Sequence, residues 1–391
     1  MTRIDDLVAP EWVSAQAGMR THVFAEDGFS ALPWADVVGP GFDAAWDALA
    51  RAAEMPNPFF ERWFLAPSLE QFDTGRRVRL ATLVEDGRLV ALMPLWRSAR
   101  YHGHRLPHLA GWSHPNLFCG EPLIAPGHAE RFWSALLEWC DTHERASLFA
   151  HLPALPVDGA SLPALRFVCA RANRPMRVVA SEQRAALLSG PTPDEHLQRC
   201  LERKRRKELA RKRRRLEELG ELRFTRQTDD AGLDDWVDDF LALEAAGWKG
   251  SQGSALGCAP ATTAMFRESL AGAARDSRLE RLAFHLDGRP IAMLCNFIAP
   301  PLSFAFKTTY DESLAKLSPG VLLQVENLAL LERADIALSD SCAAPGHPMI
   351  DHIWLDRREI VKVSVAIGGM VRRAIGAALT AIEVHRSEKR A

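Results

Sequence analysis

A short motif that occurs twice, at residues 86 and 287, constrains the fold of this chain more than any other feature. Asp86-Gly87-Arg88 and Asp287-Gly288-Arg289 each lie between two runs rich in β-forming residues. An Asp-Gly pair in this setting predicts a hairpin turn, because glycine readily adopts a positive φ. The first hairpin is predicted to join residues 78–84 to 89–96, and the second to join 279–286 to 291–298.

The elements that follow the two hairpins also occur in the same order. An extended run at 106–112, a helix containing Phe132 and Leu136, and a strand at 147–152 follow the first. An extended run at 303–309, a helix over 320–333 and a strand at 336–341 follow the second. This repetition predicts a duplicated α/β unit. We therefore predict an N-terminal lobe at 20–188 and a C-terminal lobe at 194–385, each a mixed sheet flanked by helices. Two unrelated α/β lobes that use similar turns are the alternative.

Length and composition agree with two globular lobes. The chain has 391 residues, of which 47% are hydrophobic and 25% charged, a profile typical of folded domains. Its net charge of -2 does not favour a polyanionic partner for the whole chain. Seven cysteines without a Cys-x-x-Cys pair argue against a disulfide framework and a structural zinc site. The N-terminus lacks a signal-peptide core and no apolar run is long enough to span a membrane, so we predict a cytoplasmic protein.

One segment is strongly basic, since ten of the thirteen residues from Arg203 to Arg215 are lysine or arginine. Good helix formers and a narrow apolar stripe predict one long helix over residues 195–219. This positive charge could bind one of three partners: RNA phosphates, an anionic membrane surface or the phosphates of coenzyme A. The absence of interleaved aromatic residues disfavours nucleic acid, although nucleic acid and a peripheral membrane contact both stay open. A solvated structural helix, paired with the acidic residues of 229–239, is the alternative.

Several motifs follow in order within the C-terminal half. They are Leu243-Glu244-Ala245-Ala246-Gly247-Trp248-Lys249-Gly250, then Lys307-Thr308-Thr309-Tyr310-Asp311, then Ser318-Pro319-Gly320. Together they resemble the CelD-like (cellulose-biosynthesis-associated) acetyltransferases of the GNAT superfamily, strongly over 194–360 and more loosely in the N-terminal half. That family looks related to the two-lobed Fem-type transferases, which take an aminoacyl group from tRNA. The resemblance implies tandem GNAT-like lobes that move an acyl group from acyl-CoA, acetyl-CoA first, to an amine.

The segment around Ser318 has the chemistry of a phosphate site. Serine is a good N-cap, proline suits the first helical position, and glycine leaves the backbone of the first turn accessible to an anion. We therefore predict that the donor is bound by four residues: Lys316, Ser318, Gly320 and Val321. The resemblance supports this place for the pyrophosphate, although the second glycine usual in GNAT proteins is missing. A purely structural helix start is the alternative.

Three residues are candidates for catalysis. The resemblance implies that Tyr310 protonates the departing thiolate, and a carboxylate such as Glu244 can serve as general base for the amine. Asp340, at the end of a predicted strand, is a second candidate for the base. Four further residues are predicted to bind substrate: Trp248, Lys249, Lys307 and Asp311. Each of these side chains could instead be structural, with Tyr310 packed by its ring and Glu244 paired with a lysine.

Other chemistry is less well supported by the sequence. The histidines at 102, 104, 108 and 114 have no cysteine or glutamate at ligand spacing, so no metal site is predicted. The resemblance suggests an amino sugar or an envelope polysaccharide precursor as acceptor. Two other functions stay open: a Fem-like aminoacyl-tRNA-dependent transferase, and a non-catalytic binding protein for polysaccharide synthesis.

Overall fold

The computed structural model describes residues 27–388, in which the strands form one continuous sheet. The predicted start of the N-terminal lobe at residue 20 lies outside the described residues, as does the N-terminal segment in which no signal peptide was predicted. The strands are β1 Gly28–Pro33, β2 Arg79–Glu85, β3 Arg88–Ser98, β4 His108–Gly111, β5 Leu123–Ile124, β6 Phe149–Pro156, β7 Met176–Leu188, β8 Leu222–Gln227, β9 Leu279–Leu286, β10 Arg289–Ala299, β11 Leu302–Tyr310, β12 Leu338–Asp340 and β13 Asp356–Ala366.

Helices cover the sheet and connect its strands. They are α1 Trp34–Val37, α2 Pro40–Ala52, α3 Arg62–Phe72, α4 Ala129–His143, α5 Ser161–Arg171, α6 Pro193–Cys200, α7 Arg203–Glu217, α8 Leu233–Ala246, α9 Trp248–Ser251, α10 Pro260–Arg275, α11 Pro319–Glu326 and α12 Met370–Glu388. Short 3-10 helices occupy Leu256–Cys258, Glu312–Leu317 and Asn327–Glu332. Within the described residues, no helix has both the length and the apolar character needed to cross a bilayer.

The strand order has the symmetry expected of a duplication. The order is β1-β2-β3-β4-β6-β13-β7-β12-β11-β10-β9-β8, with β5 paired to β3 away from this path. In each half the first four strands are antiparallel, the next pair (β4 with β6, β11 with β12) is parallel, and the sixth strand is antiparallel again. The predicted mixed α/β architecture with helices on a central sheet is confirmed.

Both predicted hairpins are present at the turns that suggested them. Asp86 and Gly87 have φ of 50° and 68°, and Asp287 and Gly288 have φ of 50° and 79°. Two consecutive residues of positive φ twist the turn in the sense of the adjoining strands, which is why Asp-Gly is favoured there. The repeated succession of strand, strand, strand, helix and strand is likewise confirmed, as β2, β3, β4, α4, β6 and as β9, β10, β11, α11, β12.

The two halves exchange a strand and share their hydrophobic core. The strand β7, from the first half of the sequence, pairs with β12, while β13, from the end of the chain, pairs with β6. Ring centroids of Phe59 and Phe304 lie 5.4 Å apart, and those of Trp63 and Phe297 lie 4.8 Å apart. The lobe boundary predicted between residues 188 and 194 did not include this exchange of strands. The two halves of the chain therefore pack as one body, because aromatic side chains of both are in contact.

The expectation of one long basic helix is wrong. The segment forms two helices, α6 and α7, separated at Leu201, whose backbone is extended with φ −128° and ψ 130°. The side chain of Leu201 is buried, so tertiary packing outweighs the helix propensity of its neighbours. The alternative, in which this segment pairs with the acidic residues of 229–239, does not hold either, because the ion pairs of α7 within the described residues are made with Glu208, Glu217 and Glu326.

Candidate active site

A pocket opens in the C-terminal half where two parallel strands diverge. The strand β11 pairs with β12 only over Leu302–Phe304 and then continues to Tyr310 without a strand on that side among the described residues. The pocket in this opening has a volume of about 300 Å³. Its lining combines aromatic and small apolar side chains with the two lysines Lys249 and Lys307. An extended ligand can therefore contact both this strand edge and a mostly apolar wall.

Lys307 is the most unusual charged group of the pocket. Its Nζ donates a hydrogen bond to Oδ1 of Asn116 at 2.7 Å, and lies 5.2 Å and 5.3 Å from the ring centroids of Phe118 and Phe306. Burial, with a further contribution from the charge of Lys249, lowers the pKa of Lys307 to about 8. A lysine with such a pKa is partly neutral near physiological pH and can accept a proton.

Glu244, on α8, is held by one partner on α9 and another in the 3-10 helix Leu256–Cys258. Its Oε1 accepts from Nζ of Lys249 at 2.8 Å, and its Oε2 accepts from the backbone N–H of Leu256 at 2.7 Å. The side chain of Glu244 is 2% exposed. Both carboxylate oxygens of Glu244 are thus already hydrogen-bonded. This arrangement suits a Glu244 that orients Lys249 better than a Glu244 that accepts a proton from a substrate.

Tyr310 stands at the end of β11, beside the start of α11. Its ring is so close to Gly320 that a Cβ placed on this glycine would lie 3.0 Å from Cδ1 of Tyr310 and 3.0 Å from Sδ of Met349. The Tyr310 hydroxyl has no hydrogen-bond partner within residues 27–388 and lines the pocket. The structure thus leaves this phenol available to a ligand.

The start of α11 differs in detail from the sequence prediction. Pro319 occupies the first helical turn as predicted, and Ser318 precedes it with φ 55° in the left-handed region. The Ser318 side chain does not cap the helix; its Oγ accepts a hydrogen bond from Nζ of Lys212 on α7 at 2.9 Å. A lysine ammonium therefore lies beside the positive end of a helix, an arrangement that favours a bound anion.

Asp340 does not line the pocket and lies in a buried cluster of charges. Its Oδ2 lies 3.3 Å from Nη1 of Arg184 and 3.2 Å from Nη1 of Arg358. Its Oδ1 accepts from the backbone N–H of Cys342 at 2.8 Å. Asp340 is fully buried and is not among the residues that line the pocket. This arrangement favours a structural function over that of a general base.

The remaining predicted site residues are dispersed. Trp248 lines the pocket with half of its surface exposed, and its backbone N–H donates to Oε1 of Glu312 at 2.7 Å. Asp311 pairs with Arg289 at 3.0 Å, outside the pocket lining. Lys316 is exposed, and Val321 packs on a neighbouring apolar cluster. The structure thus brings Glu244, Trp248, Lys249, Lys307 and Tyr310 together, with Ser318 and Gly320 adjacent.

Three residues of the site were missed by the sequence analysis. Asn116 and Phe118 reach Lys307 from the N-terminal half, and Lys212 reaches Ser318 from the basic helix. The dense positive charge of 203–215 could have pointed to Lys212 as a ligand-binding residue. The sequence around Asn116 and Phe118 has no feature that distinguishes them as site residues. The loop histidines were expected to be polar loop residues: His102 and His104 are exposed, and His108 stacks on Phe149 at 5.1 Å. The part of the chain that the structure describes holds no group of three potential metal ligands.

Comparison with known proteins assigns this region. The family model described as an acetyltransferase (GNAT) domain matches residues 203–340, which include α7, the pocket strand β11 and α11. The segment from α7 to β12 is therefore similar to a GNAT acetyltransferase domain. Domains of this type use acyl-CoA as co-substrate, so the prediction of a GNAT-type acyltransferase is confirmed. No curated protein matches the chain in sequence.

Solved structures resemble the fold around this GNAT domain. FemX matches with a TM-score of 0.52 and 9% identity, over 85% of this chain and 98% of its own. A conserved protein of unknown function from Bacteroides thetaiotaomicron matches with a TM-score of 0.56 and 10% identity, over 88% of this chain and all of its own. A tandem GNAT protein from the clavulanic acid biosynthesis pathway matches with a TM-score of 0.42 and 14% identity, over 88% and 99%. At these identities the likeness to the first two structures concerns the fold alone. The prediction of a CelD-like member stays a prediction.

Proposed function

We propose that the pocket transfers an acyl group from acyl-CoA, with acetyl-CoA as the first choice, to the amine of an acceptor. The observation that carries this proposal is the divergence of β11 from β12 beside the start of α11. The free edge of β11 suits the amide-containing arm of the donor, which needs backbone partners. The N-terminus of α11, with Gly320 in its first turn and Lys212 next to it, suits the donor phosphates.

In the proposed mechanism, Lys307 acts as the general base and Tyr310 as the general acid. The neutral amine of Lys307 takes a proton from the acceptor nitrogen as this nitrogen attacks the thioester carbonyl carbon. Backbone N–H groups of β11 stabilise the oxygen of the tetrahedral intermediate, the carbon–sulfur bond then breaks, and Tyr310 protonates the thiolate. We choose Lys307 over Glu244, the residue suggested by sequence, because both oxygens of Glu244 are already hydrogen-bonded.

The proposed acceptor is an amino sugar or an envelope polysaccharide precursor. Trp248 offers an exposed indole face at the pocket, a surface on which a sugar ring can pack, and Glu312 beside it can accept hydrogen bonds from hydroxyl groups. Glucosamine is therefore the first acceptor to assay. Because the proposed donor is a cytoplasmic metabolite, we also propose a cytoplasmic location.

The first test is calorimetric titration of the protein with acetyl-CoA and with a longer acyl-CoA. We expect micromolar binding of the donor, loss of binding in Gly320→Trp, and retained binding in Tyr310→Phe. The added side chain at Gly320 would collide with Tyr310 and Met349 and cover the first turn of α11. Gly257→Trp is the matched control, since this glycine is exposed and the nearest atom to a Cβ there would be the carbonyl oxygen of Leu241 at 3.8 Å. If the wild-type protein binds neither thioester, the acyl-CoA proposal is wrong and a non-catalytic binding protein becomes the better description.

A second prediction concerns Lys212. Lys212→Met is expected to weaken acetyl-CoA binding by about 10-fold, because a charge-assisted hydrogen bond to a phosphate is lost. Binding of acetylpantetheine, which lacks the diphosphate, should not change. Lys204→Met, on the exposed surface of the same helix, is the control. An equal loss for both ligands would mean that Lys212 acts on the fold instead of on the phosphates.

A second candidate donor is aminoacyl-tRNA, which one feature of α7 favours. Six exposed basic side chains of this helix have no ion pair within the described residues: Arg203, Lys204, Lys207, Arg211, Arg214 and Arg215. RNA binding through these side chains would weaken steeply with salt. Titration with total tRNA at two salt concentrations separates this donor from acyl-CoA.

A further inference from the structure

The N-terminal half contributes directly to the pocket through the segment that follows β4. Asn116, in this segment, is 7% exposed and accepts the hydrogen bond from Lys307. Phe118, two residues later, places its ring beside the same Nζ at 5.2 Å and lines the pocket. The side chain of Lys307 is therefore enclosed by groups from a different half of the chain. No residue of the GNAT domain makes an equivalent hydrogen bond to this Nζ among the described residues.

Two buried side chains hold this segment in place. Asn57 donates from Nδ2 to the carbonyl oxygens of Cys119 and Glu121 at 3.1 Å and 2.7 Å. Arg184, on β7, donates from Nη1 to the carbonyl oxygen of Phe118 at 2.9 Å. Both anchors are buried, so these hydrogen bonds are protected from competition by water. The position of Asn116 is thus set by the fold.

The same segment fills the opening that the N-terminal half would otherwise have. By the symmetry of the sheet, the opening between β4 and β6 corresponds to the pocket between β11 and β12. Gly120 lies there, donating its backbone N–H to the carbonyl oxygen of Ala154 at 2.8 Å. A Cβ on Gly120 would lie 2.2 Å from the carbonyl oxygen of Pro153, so the chain is in direct contact with β6. This half therefore has no room for a donor at the equivalent place.

We propose that Asn116 is a positioning residue that holds the Lys307 side chain in the pocket, so that the two lobes share one active site and one donor. This inference rests on the proposed function, in which Lys307 accepts the proton. The N-terminal lobe has no donor site of its own at the filled opening. It supplies Phe118 as a wall and Asn116 as a hydrogen-bond acceptor to the pocket of the C-terminal lobe.

An amide suits this task better than a carboxylate would. It fixes the direction of the lysine side chain without the charge that would keep the ammonium protonated. Burial, together with the charge of Lys249, lowers the pKa of Lys307 to about 8, and the uncharged amide of Asn116 does not oppose this decrease. The titratable groups that face Lys307 come from several elements of both halves: Lys249, Glu244, Cys295, Cys342 and His114. Glu244 is the one carboxylate in this set, and its negative charge opposes the decrease in the pKa of Lys307. Its Oε1 is already hydrogen-bonded to Lys249.

The test measures the titration of Lys307 in the full chain, without needing the acceptor. Lysines are labelled with limiting acetic anhydride over a range of pH, and each site is quantified by mass spectrometry. In the wild-type protein we expect the midpoint of Lys307 at about 8, and exposed Lys316, labelled in the same samples, serves as the reference for the labelling rate. Asn116→Asp should raise the Lys307 midpoint by about 1–3 pH units, because an opposite charge at hydrogen-bond distance stabilises the ammonium.

The matched control is Asn173→Asp, which adds the same charge at an exposed position of the N-terminal half. It should leave the Lys307 midpoint unchanged. An unchanged midpoint in Asn116→Asp, in a protein with native thermal unfolding, would overturn the inference. Asn116→Ser, whose side chain is too short to reach Nζ, provides a second test. Its loss of one hydrogen bond should raise the labelling rate of Lys307 relative to Lys316 by about 2–10-fold, and an unaltered ratio would count against the inference.

The number of donors bound gives an independent check. Calorimetry with acetyl-CoA should give one molecule per chain, and two per chain would contradict a filled N-terminal opening. Absence of any binding would instead contradict the proposed function, while the labelling experiment would still report whether Asn116 contacts Lys307. The two failures are therefore distinguishable.

Discussion

Lys307→Met is expected to lower kcat for acyl transfer by about 10²–10⁴-fold, the range found when a general base is removed. Methionine retains a similar volume between Phe118 and Phe306, so the pocket should keep its shape. The measurement is release of free thiol from acetyl-CoA with glucosamine as acceptor. The Kd for acetyl-CoA, determined by calorimetry, should remain within about threefold of the wild-type value, since the donor phosphates are bound elsewhere.

The control variant is Lys362→Met, which removes an exposed lysine from β13. It should leave kcat unchanged. Glu244→Gln tests the assignment made from sequence. If kcat falls more in Glu244→Gln than in Lys307→Met while both proteins stay folded, Glu244 is the base and Lys307 binds substrate.

The pH dependence of the reaction follows from the same residue. The neutral amine is the active form, so kcat should rise with pH and level off above the lowered pKa of about 8. At pH 7 only about a tenth of Lys307 is neutral, which predicts a roughly tenfold increase in rate over this range. A base with the ordinary pKa of a carboxylate would instead give a flat profile above pH 6.

Features determined by local sequence were predictable in this chain. The Asp-Gly turns require two consecutive positive φ angles, and both hairpins occur where Asp86 and Asp287 indicated them. Helix α8, Leu233–Ala246, likewise follows from local sequence. Its apolar positions repeat at helical spacing, and Gly247 follows its last residue, so periodicity and the end signal agree.

Features that depend on distant residues were not predictable. The exchange of β7 and β13 is decided by strand pairing between residues more than 150 positions apart. The break at Leu201 follows from burial of one side chain, and Ser318 bonds to Lys212 across 106 positions instead of capping its own helix. Asn116 likewise reaches Lys307 across 191 positions. A single sequence shows which side chains can bond, whereas the choice among partners is made by the packing of the whole chain.

The second prediction with a large effect concerns stability. Asp340→Ala is expected to lower the free energy of unfolding by about 3–5 kcal/mol, because it leaves the buried guanidinium groups of Arg184 and Arg358 without their shared carboxylate. The measurement is urea unfolding followed by circular dichroism and by tryptophan fluorescence. Asp340→Asn, which keeps the shape of the side chain and one acceptor oxygen, should show a smaller loss.

Asp335→Ala is the matched control for this prediction. Asp335 belongs to the same half of the chain and pairs with Arg333 at 2.8 Å, but this pair is exposed, so its loss should cost less than about 1 kcal/mol. A similar loss in both variants would show that the buried cluster contributes no more to stability than an exposed ion pair.

The comparison also separates the two functions considered for Asp340. Arg184 bonds both Asp340 and the carbonyl oxygen of Phe118, so a structural Asp340 stabilises the wall of the pocket. If Asp340→Asn keeps its stability and loses kcat, Asp340 acts in the chemistry; if it loses stability and keeps kcat, its function is to hold the two lobes together around Lys307.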